Sequence, residues 1–351
     1  MKLSRKGFLK RSASGIGAFL LLLSAASCSQ TETVDTTQSM GGSMGEAKFV
    51  DVDGIRTRYF EGGSGEAMLL VHGGHYGASG GATGWMSIFP NLAAHFNVYA
   101  IDKLGMGFTD PPGSDEEYTM QATVQHLYRF LETLGIEEVH LVGHSRGGLP
   151  VTRIAIDHPE MVKTLTIFDS NTLAPGDPPV SIRPLGPPGP PPTKESIREG
   201  LLNNSTTFHK DFITDEYVEA QLEVRLLPKI RETAEKMEQL RLRFAELNPE
   251  KVEARPALAG NRGTGWWMYE VKDATLEAIT DGRLSTPTLI IWGFNDPSAT
   301  YAMGVDLFQT ISTSVDRAQL HFFNRSGHSP YHEYPQEVTN VLVSFIGSEE
   351  D

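Results

Sequence analysis

A single cysteine, Cys28, stands in 351 residues, which excludes a disulfide within the chain. Basic side chains are scarce: 30 Lys and Arg oppose 44 Asp and Glu, for a formal net charge of -14. Five of those cations, Lys2, Arg5, Lys6, Lys10 and Arg11, fall within the first 27 residues, where no acid occurs, so the remainder carries −19. A surface of that sign repels polyanions and argues against a nucleic-acid partner. The apolar run nearest the N-terminus, 16–23, is well short of the about 20 residues that a comfortable bilayer span requires.

What stands at the N-terminus is a basic opening, that short apolar run and the small residues 24–27, the order of an export signal over residues 1–28. The stretch 4–10, SRKGFLK, resembles a twin-arginine export motif with Lys6 in place of the second arginine. Cys28 follows Ala25-Ala26-Ser27 and resembles the lipidated cysteine of a bacterial lipoprotein, with ordinary cleavage nearby as the other fate. Both place the working domain outside the cytoplasm, periplasmic, anchored through Cys28 or secreted, and residues 29–47 read as a flexible tether rich in Ser, Thr and Gly.

Beyond the tether, 48–60 reads as a hairpin turning at Asp53-Gly54. Near-continuous apolar runs at 68–71, 98–101, 139–142, 165–168 and 288–292 suit strands of a parallel sheet covered on both faces. Helical patterns lie between them, at 119–134 before Gly135 and at 147–157 before His158-Pro159. Alternating strand and helix imply a doubly wound α/β sheet whose ligands bind at the carboxyl ends of its strands. The core is expected over 48–174 and 282–351. Between its halves, 175–192 holds nine prolines in eighteen residues, a linker of polyproline character, and 193–281 reads as a helical cap. In that cap Ile230, Met237, Leu240, Phe244 and Leu247 fall on one helical face.

The chemistry is concentrated where strands end. After 139–142 comes Gly143-His144-Ser145-Arg146-Gly147, a G-x-S-x-G turn between strand and helix that lifts Ser145 above the sheet edge. A serine hydroxyl needs a base, and the base needs a carboxylate to orient it. Asp296 follows the strand 289–292, and His328 follows Phe322-Phe323, so both lie at strand ends, in the order Ser, acid, His. Asp169, which ends the strand 165–168, is the alternative acid. An oxyanion requires two backbone N–H donors. Arg146 supplies one, and the loop Val71-His72-Gly73-Gly74-His75 the other, through Gly74 or, alternatively, Gly73.

These motifs are similar to those of the α/β-hydrolase superfamily over 48–169 and 286–346. Within it the chain resembles the meta-cleavage-product hydrolases and related small carboxylesterases, through the His-Gly-Gly loop, Gly84-Trp85 and the segment 101–110, IDKLGMGFTD. The resemblance implies a mostly parallel eight-stranded sheet flanked by helices with an inserted cap, and a serine hydrolase that needs no cofactor or metal. Meta-cleavage-product hydrolases break a carbon–carbon bond in vinylogous diketones and commonly carry tryptophan after the catalytic histidine. Ser329 stands there instead, so the expected substrate is a small carboxylic ester or lactone. Carbon–carbon bond hydrolysis and binding without turnover are the alternatives.

Several residues invite other roles. His72 with His75, or His328 with His332, have spacings that suggest metal ligands, but structural and catalytic roles claim them first. Asp102 precedes the nucleophile and suits a role in fixing the glycine-rich turn after it. The Arg146 side chain could reach over the site to hold an acidic substrate group, but at the start of a helix it is expected to face solvent or pair with the cap. Trp266, Trp267 and Met268 either line an apolar pocket or pack the cap onto the core.

Overall fold

The computed structural model describes residues 42–177, 185, 189–260 and 265–348. The export signal, Cys28, the tether before residue 42 and much of the proline-rich linker therefore lie outside the described residues. Strand β1 (Lys48–Val52) turns at Asp53-Gly54 into β2 (Ile55–Gly63), and both turn residues have positive φ, 51° and 87°, as this tight hairpin requires. Then follow β3 (Ala67–Val71), α1 (Phe89–Ala93), β4 (Asn97–Ile101), α2 (Met120–Thr133), β5 (Val139–His144), α3 (Gly148–Asp157) and β6 (Val162–Phe168). After the insertion come α8 (Trp266–Thr280), β7 (Thr288–Gly293), α9 (Tyr301–Ile311), β8 (Ala318–Phe323), α10 (Pro330–Glu333) and α11 (Pro335–Gly347). The insertion itself carries α4 (Lys194–Leu202), α5 (Asp215–Arg225), α6 (Pro228–Leu247) and α7 (Pro249–Ala254).

The eight strands form one sheet in the order β1-β2-β4-β3-β5-β6-β7-β8, antiparallel at β1/β2 and β2/β4 and parallel elsewhere. The strand period of two sorts the core onto both faces. Leu69 and Val71 of β3, with Ile290 and Trp292 of β7, pack among residues of α2, α3, α8 and α9. Met68 and Leu70, with Leu289 and Ile291, pack among those of α1 and α11. Strand β8 pairs only with β7 and alternates in burial, which explains why its sequence shows no continuous apolar run.

Three expectations change. Helix α8 was expected in the cap, but Trp267, Met268, Val271, Ala278 and Ile279 join the main core cluster beside α2 and α3, so the helix packs as a layer of the sheet domain. The end of the tether is docked: Met44 is buried among residues of α1 and α11, and Ser43 hydrogen-bonds Glu216 Oε1 of α5 through its N–H and hydroxyl. The apolar face of α6 is half-buried from Ile230 to Phe244, and Met237 and Leu240 rest on Tyr76, Leu104 and Tyr118 of the core, but Leu247 is 68% exposed. No helix among the described residues is long and apolar enough to cross a membrane.

Candidate active site

Strand β5 runs straight into the turn that carries Ser145, whose φ of 52° is a left-handed conformation that costs a non-glycine residue strain. The glycines around it follow from space. A Cβ on Gly147 would overlap the carbonyl oxygens of Val71 and His72, and one on Gly143 would overlap Gly147 O and Val151. The Ser170 hydroxyl donates to Ser145 O at 2.7 Å and holds the turn from below. Gly73 lies alongside: its Cβ, had it one, would stand 3.0 Å from Ser145 Cβ and 3.0 Å from His144 Nδ1.

His328 and Asp296, thirty-two residues apart, meet at 2.5 Å between Nδ1 and Oδ2. The other Asp296 oxygen accepts the Ser298 N–H at 2.7 Å and its hydroxyl at 2.8 Å. Burial opposes the Asp296 charge, yet the His328 partner and these donors hold the carboxyl below its usual range. Asp169 is brought to the same place, its carboxyl within 4.8 Å of both Asp296 and His328. Fully buried and facing the Asp296 charge, its carboxyl is pushed well above the usual range while it accepts the Gly293 N–H at 2.8 Å. The two candidate acids thus differ in the form that is favoured. Asp296 bonds the imidazole and its charged form is favoured, whereas burial beside that charge favours the neutral form of Asp169.

Two residues that the sequence did not single out position His328. His144, the variable residue before Ser145, makes a 2.7 Å contact from Nε2 to the His328 carbonyl. A carbonyl only accepts, so Nε2 carries the proton and Nδ1 is free to accept from the Tyr331 hydroxyl at 3.1 Å. Burial and the neighbouring His328 push His144 well below the usual histidine range, so it serves as a neutral brace. Glu333 of α10 accepts the Gly327 N–H at 2.7 Å with one oxygen and the N–H groups of Phe208 and His209 at 2.6 and 3.1 Å with the other. One carboxylate therefore ties the histidine loop to the inserted segment. Its sequence signal was only an acid five residues beyond the histidine, too common to read.

The remaining candidates fall into place around this centre. Asp102 binds Arg58 Nε at 2.6 Å and accepts the Phe108 N–H at 2.7 Å, fixing the turn after β4 as expected of it. His72 is engaged at both ring nitrogens, at 2.7 Å to Gly73 O and 3.2 Å to the Lys103 N–H, and His332 makes a 2.5 Å bond to Ser87 and stacks on Phe212. Among the described residues the only cluster with metal-ligand proximity is Asp169, Asp296 and His328. Arg146 is half-buried directly after the nucleophile, and burial lowers its guanidinium to about 10. Of the three cap candidates, Trp266 stacks on Phe244 of α6, Met268 is core, and Trp267 lies 5.6 Å from the His75 ring on the glycine loop.

The family model of the alpha/beta hydrolase fold matches residues 66–335. The 2-hydroxy-6-oxo-6-(2'-aminophenyl)hexa-2,4-dienoic acid hydrolase of Metapseudomonas resinovorans is 26% identical over 309 residues, covering 87% of this chain and 92% of that protein. The 2-hydroxymuconate semialdehyde hydrolase of Pseudomonas sp. (strain CF600) is 27% identical over 293 residues, covering 84% and 91%. The solved meta-cleavage product hydrolase of Pseudomonas fluorescens IP01 superposes with a TM-score of 0.62 at 24% identity, covering 88% of this chain and 99% of that one, a likeness of fold. With the matched region spanning strands β3 to β8, the strained serine turn and both strand-end residues, this chain belongs to the alpha/beta hydrolase fold family.

Proposed function

We propose that this hydrolase cleaves the carbon–carbon bond of a meta-cleavage product, with Ser145 as nucleophile, His328 as general base and Asp296 as the acid that orients it. The 2.5 Å Asp296–His328 pair carries the catalytic assignment. With Nδ1 committed to Asp296, the opposite ring nitrogen takes the Ser145 proton as Oγ attacks the substrate carbonyl. The oxyanion receives the N–H groups of Arg146 and of Gly74 or Gly73. Collapse of the tetrahedral adduct expels the leaving group with the proton from His328, and water then releases the acyl group by the same base catalysis. Neither cofactor nor metal enters these steps.

Two observations support the carbon–carbon reading. The relatives matched along most of their length are named for dienoic acids and semialdehydes of this kind, and Arg146, half-buried directly after the nucleophile, offers a cation that suits an acidic substrate. A carbon leaving group must depart as a stabilised enol, and a dienoate that has first taken up a proton as its ketone supplies one. Hydrolysis of a small ester or lactone is the second reading, favoured by Ser329 after the histidine, and it uses the same residues. The test is turnover of 2-hydroxy-6-oxo-6-phenylhexa-2,4-dienoate, whose extended conjugation vanishes on cleavage, beside p-nitrophenyl esters. Dienoate turnover lost in Ser145→Ala upholds the proposal. Ester turnover alone supports the second reading, and binding without turnover of either makes the protein a receptor.

Export by residues 1–28 belongs to the same proposal, with Cys28 as either a lipid anchor or part of a cleaved leader. A hydrophobic mass addition at Cys28, lost in Cys28→Ala, identifies the anchor, while a mature N-terminus beyond residue 28 identifies cleavage. An unprocessed cytoplasmic chain contradicts export altogether.

A further inference from the structure

Lys103 follows β4 and is almost wholly inside the protein, 3% exposed. Its ammonium donates to Gly74 O at 2.8 Å, and among the described residues that is its one hydrogen-bond acceptor. Its backbone N–H donates to His72 Nε2 at 3.2 Å. Nε2 is thereby the acceptor nitrogen, so the proton resides on Nδ1, which donates to Gly73 O at 2.7 Å. Both successive carbonyls of the glycine loop are thus held by buried donors that converge on Lys103.

The peptide unit is planar and trans, so fixing a carbonyl fixes the following N–H in the opposite direction. The His72 bond to Gly73 O therefore sets the Gly74 N–H, and the Lys103 bond to Gly74 O sets the His75 N–H. Between the two planes Gly74 takes a φ of 77°, open to glycine but strained for other residues, so the chain itself offers little resistance to a peptide flip. Gly73, one residue earlier, abuts Ser145 Cβ. A loop that is locally soft and adjacent to the nucleophile needs an external clamp if its donors are to be preorganised.

We propose that Lys103 is a positioning residue of the oxyanion loop: its ammonium clamps the Gly74 carbonyl and so fixes the peptide plane on the far side of Gly74, while its backbone N–H, which any substitution keeps, holds the Gly73 carbonyl through His72. The proposal rests on the reading above that this loop receives the oxyanion. It assigns a catalytic consequence to a lysine that neither touches the triad nor bonds to an acid in any described contact. Burying an ammonium that has one carbonyl for a partner is costly for folding, which makes a purely structural role a poor explanation of the lysine.

The experiment compares wild type, Lys103→Met and Lys103→Gln in the rate of fluorophosphonate labelling at Ser145, and in kcat and KM on whichever of the dienoate or p-nitrophenyl butyrate turns over. The phosphonate adduct is tetrahedral and needs the same donors, so labelling reads the loop without a natural substrate. Removing one oxyanion donor outright costs about 100-fold or more, and a misaimed loop should cost less. Lys103→Met is expected to slow labelling and kcat about 30-fold with KM within about twofold and an undiminished Tm, because only the tetrahedral species uses the donors. Lys103→Gln keeps an N–H donor of similar reach and should remain within about threefold of wild type. Labelling and kcat unchanged in Lys103→Met overturn the proposal, as does a loss confined to KM on the dienoate, which would make Lys103 a substrate-binding cation. Should Lys103→Met fail to fold, a folded Lys103→Gln that falls about 30-fold overturns it equally. Wild type that is not labelled at all overturns both this inference and the hydrolase reading, whereas labelled wild type with an unaffected Lys103→Met overturns this inference alone.

Discussion

At the residue scale two neighbouring aspartates have titrations shifted in opposite directions, and each is open to substitution. Asp296→Asn leaves the geometry but favours the wrong imidazole tautomer, and is expected to lower kcat by about 1,000- to 10,000-fold with Tm little changed. Asp169→Asn resembles the neutral form that burial favours and should keep activity within about fivefold. Equal losses in both variants would move the triad acid to Asp169. Their titrations also work in opposite directions. The raised Asp169 means that the folded state holds a proton the unfolded chain releases, so its stabilising contribution is complete at low pH and is lost as pH rises above the ordinary carboxylate range. The lowered Asp296 contributes stability above that range, which is lost as pH falls through its folded value. Melting temperatures of Asp169→Asn should therefore gain on wild type as pH is raised from about 4 towards 7, from the unfolded reference value of an aspartate. A constant difference across that interval would contradict the protonated state. The sequence pointed to both aspartates because each ends a strand, but which one is charged depends on burial and on His328, neither of which a linear pattern carries.

At the element scale the serine turn and the histidine loop are held by different means. Gly147→Ala forces a Cβ into the backbone oxygens of Val71 and His72 and should destabilise the protein by at least about 3 kcal/mol, read by denaturant unfolding, or prevent folding. A loss below about 1 kcal/mol would show that the turn relaxes. Glu333→Ala leaves the Gly327, Phe208 and His209 N–H groups without their acceptor, at about 1–3 kcal/mol for each that stays dry. Its Tm should fall, with kcat falling as His328 loses its anchor, and intact kcat at temperatures where the variant is folded would separate stability from positioning. The G-x-S-x-G turn was legible because steric exclusion leaves a sequence signature. The Glu333 tie and the His144 brace were not, because long-range acceptors leave none. Strand β8 escaped notice for a related reason: it pairs on one side only, so its polar residues interrupt the run.

At the scale of the whole molecule, the alternation of apolar runs and helical patterns specified a parallel sheet and the family resemblance its eight strands, whereas the strand order emerges only from the structure. The cap boundary was harder to read, since a helix packed on other helices and one packed on a sheet have the same 3.6-residue period. Only the contacts of Trp267, Val271 and Ile279 place α8 with the core. The inserted helices α4 to α7 carry the sequence features least tied to fold, and a fold alone does not choose a substrate. The central claim is that Ser145, His328 and Asp296 form one nucleophilic unit, and intact-mass spectrometry after fluorophosphonate treatment tests it most directly. The account predicts one adduct per chain in wild type, none in Ser145→Ala, and labelling slowed at least about 100-fold in His328→Ala, where the base is missing. A second adduct that persists in Ser145→Ala, or full-rate labelling without His328, would contradict it.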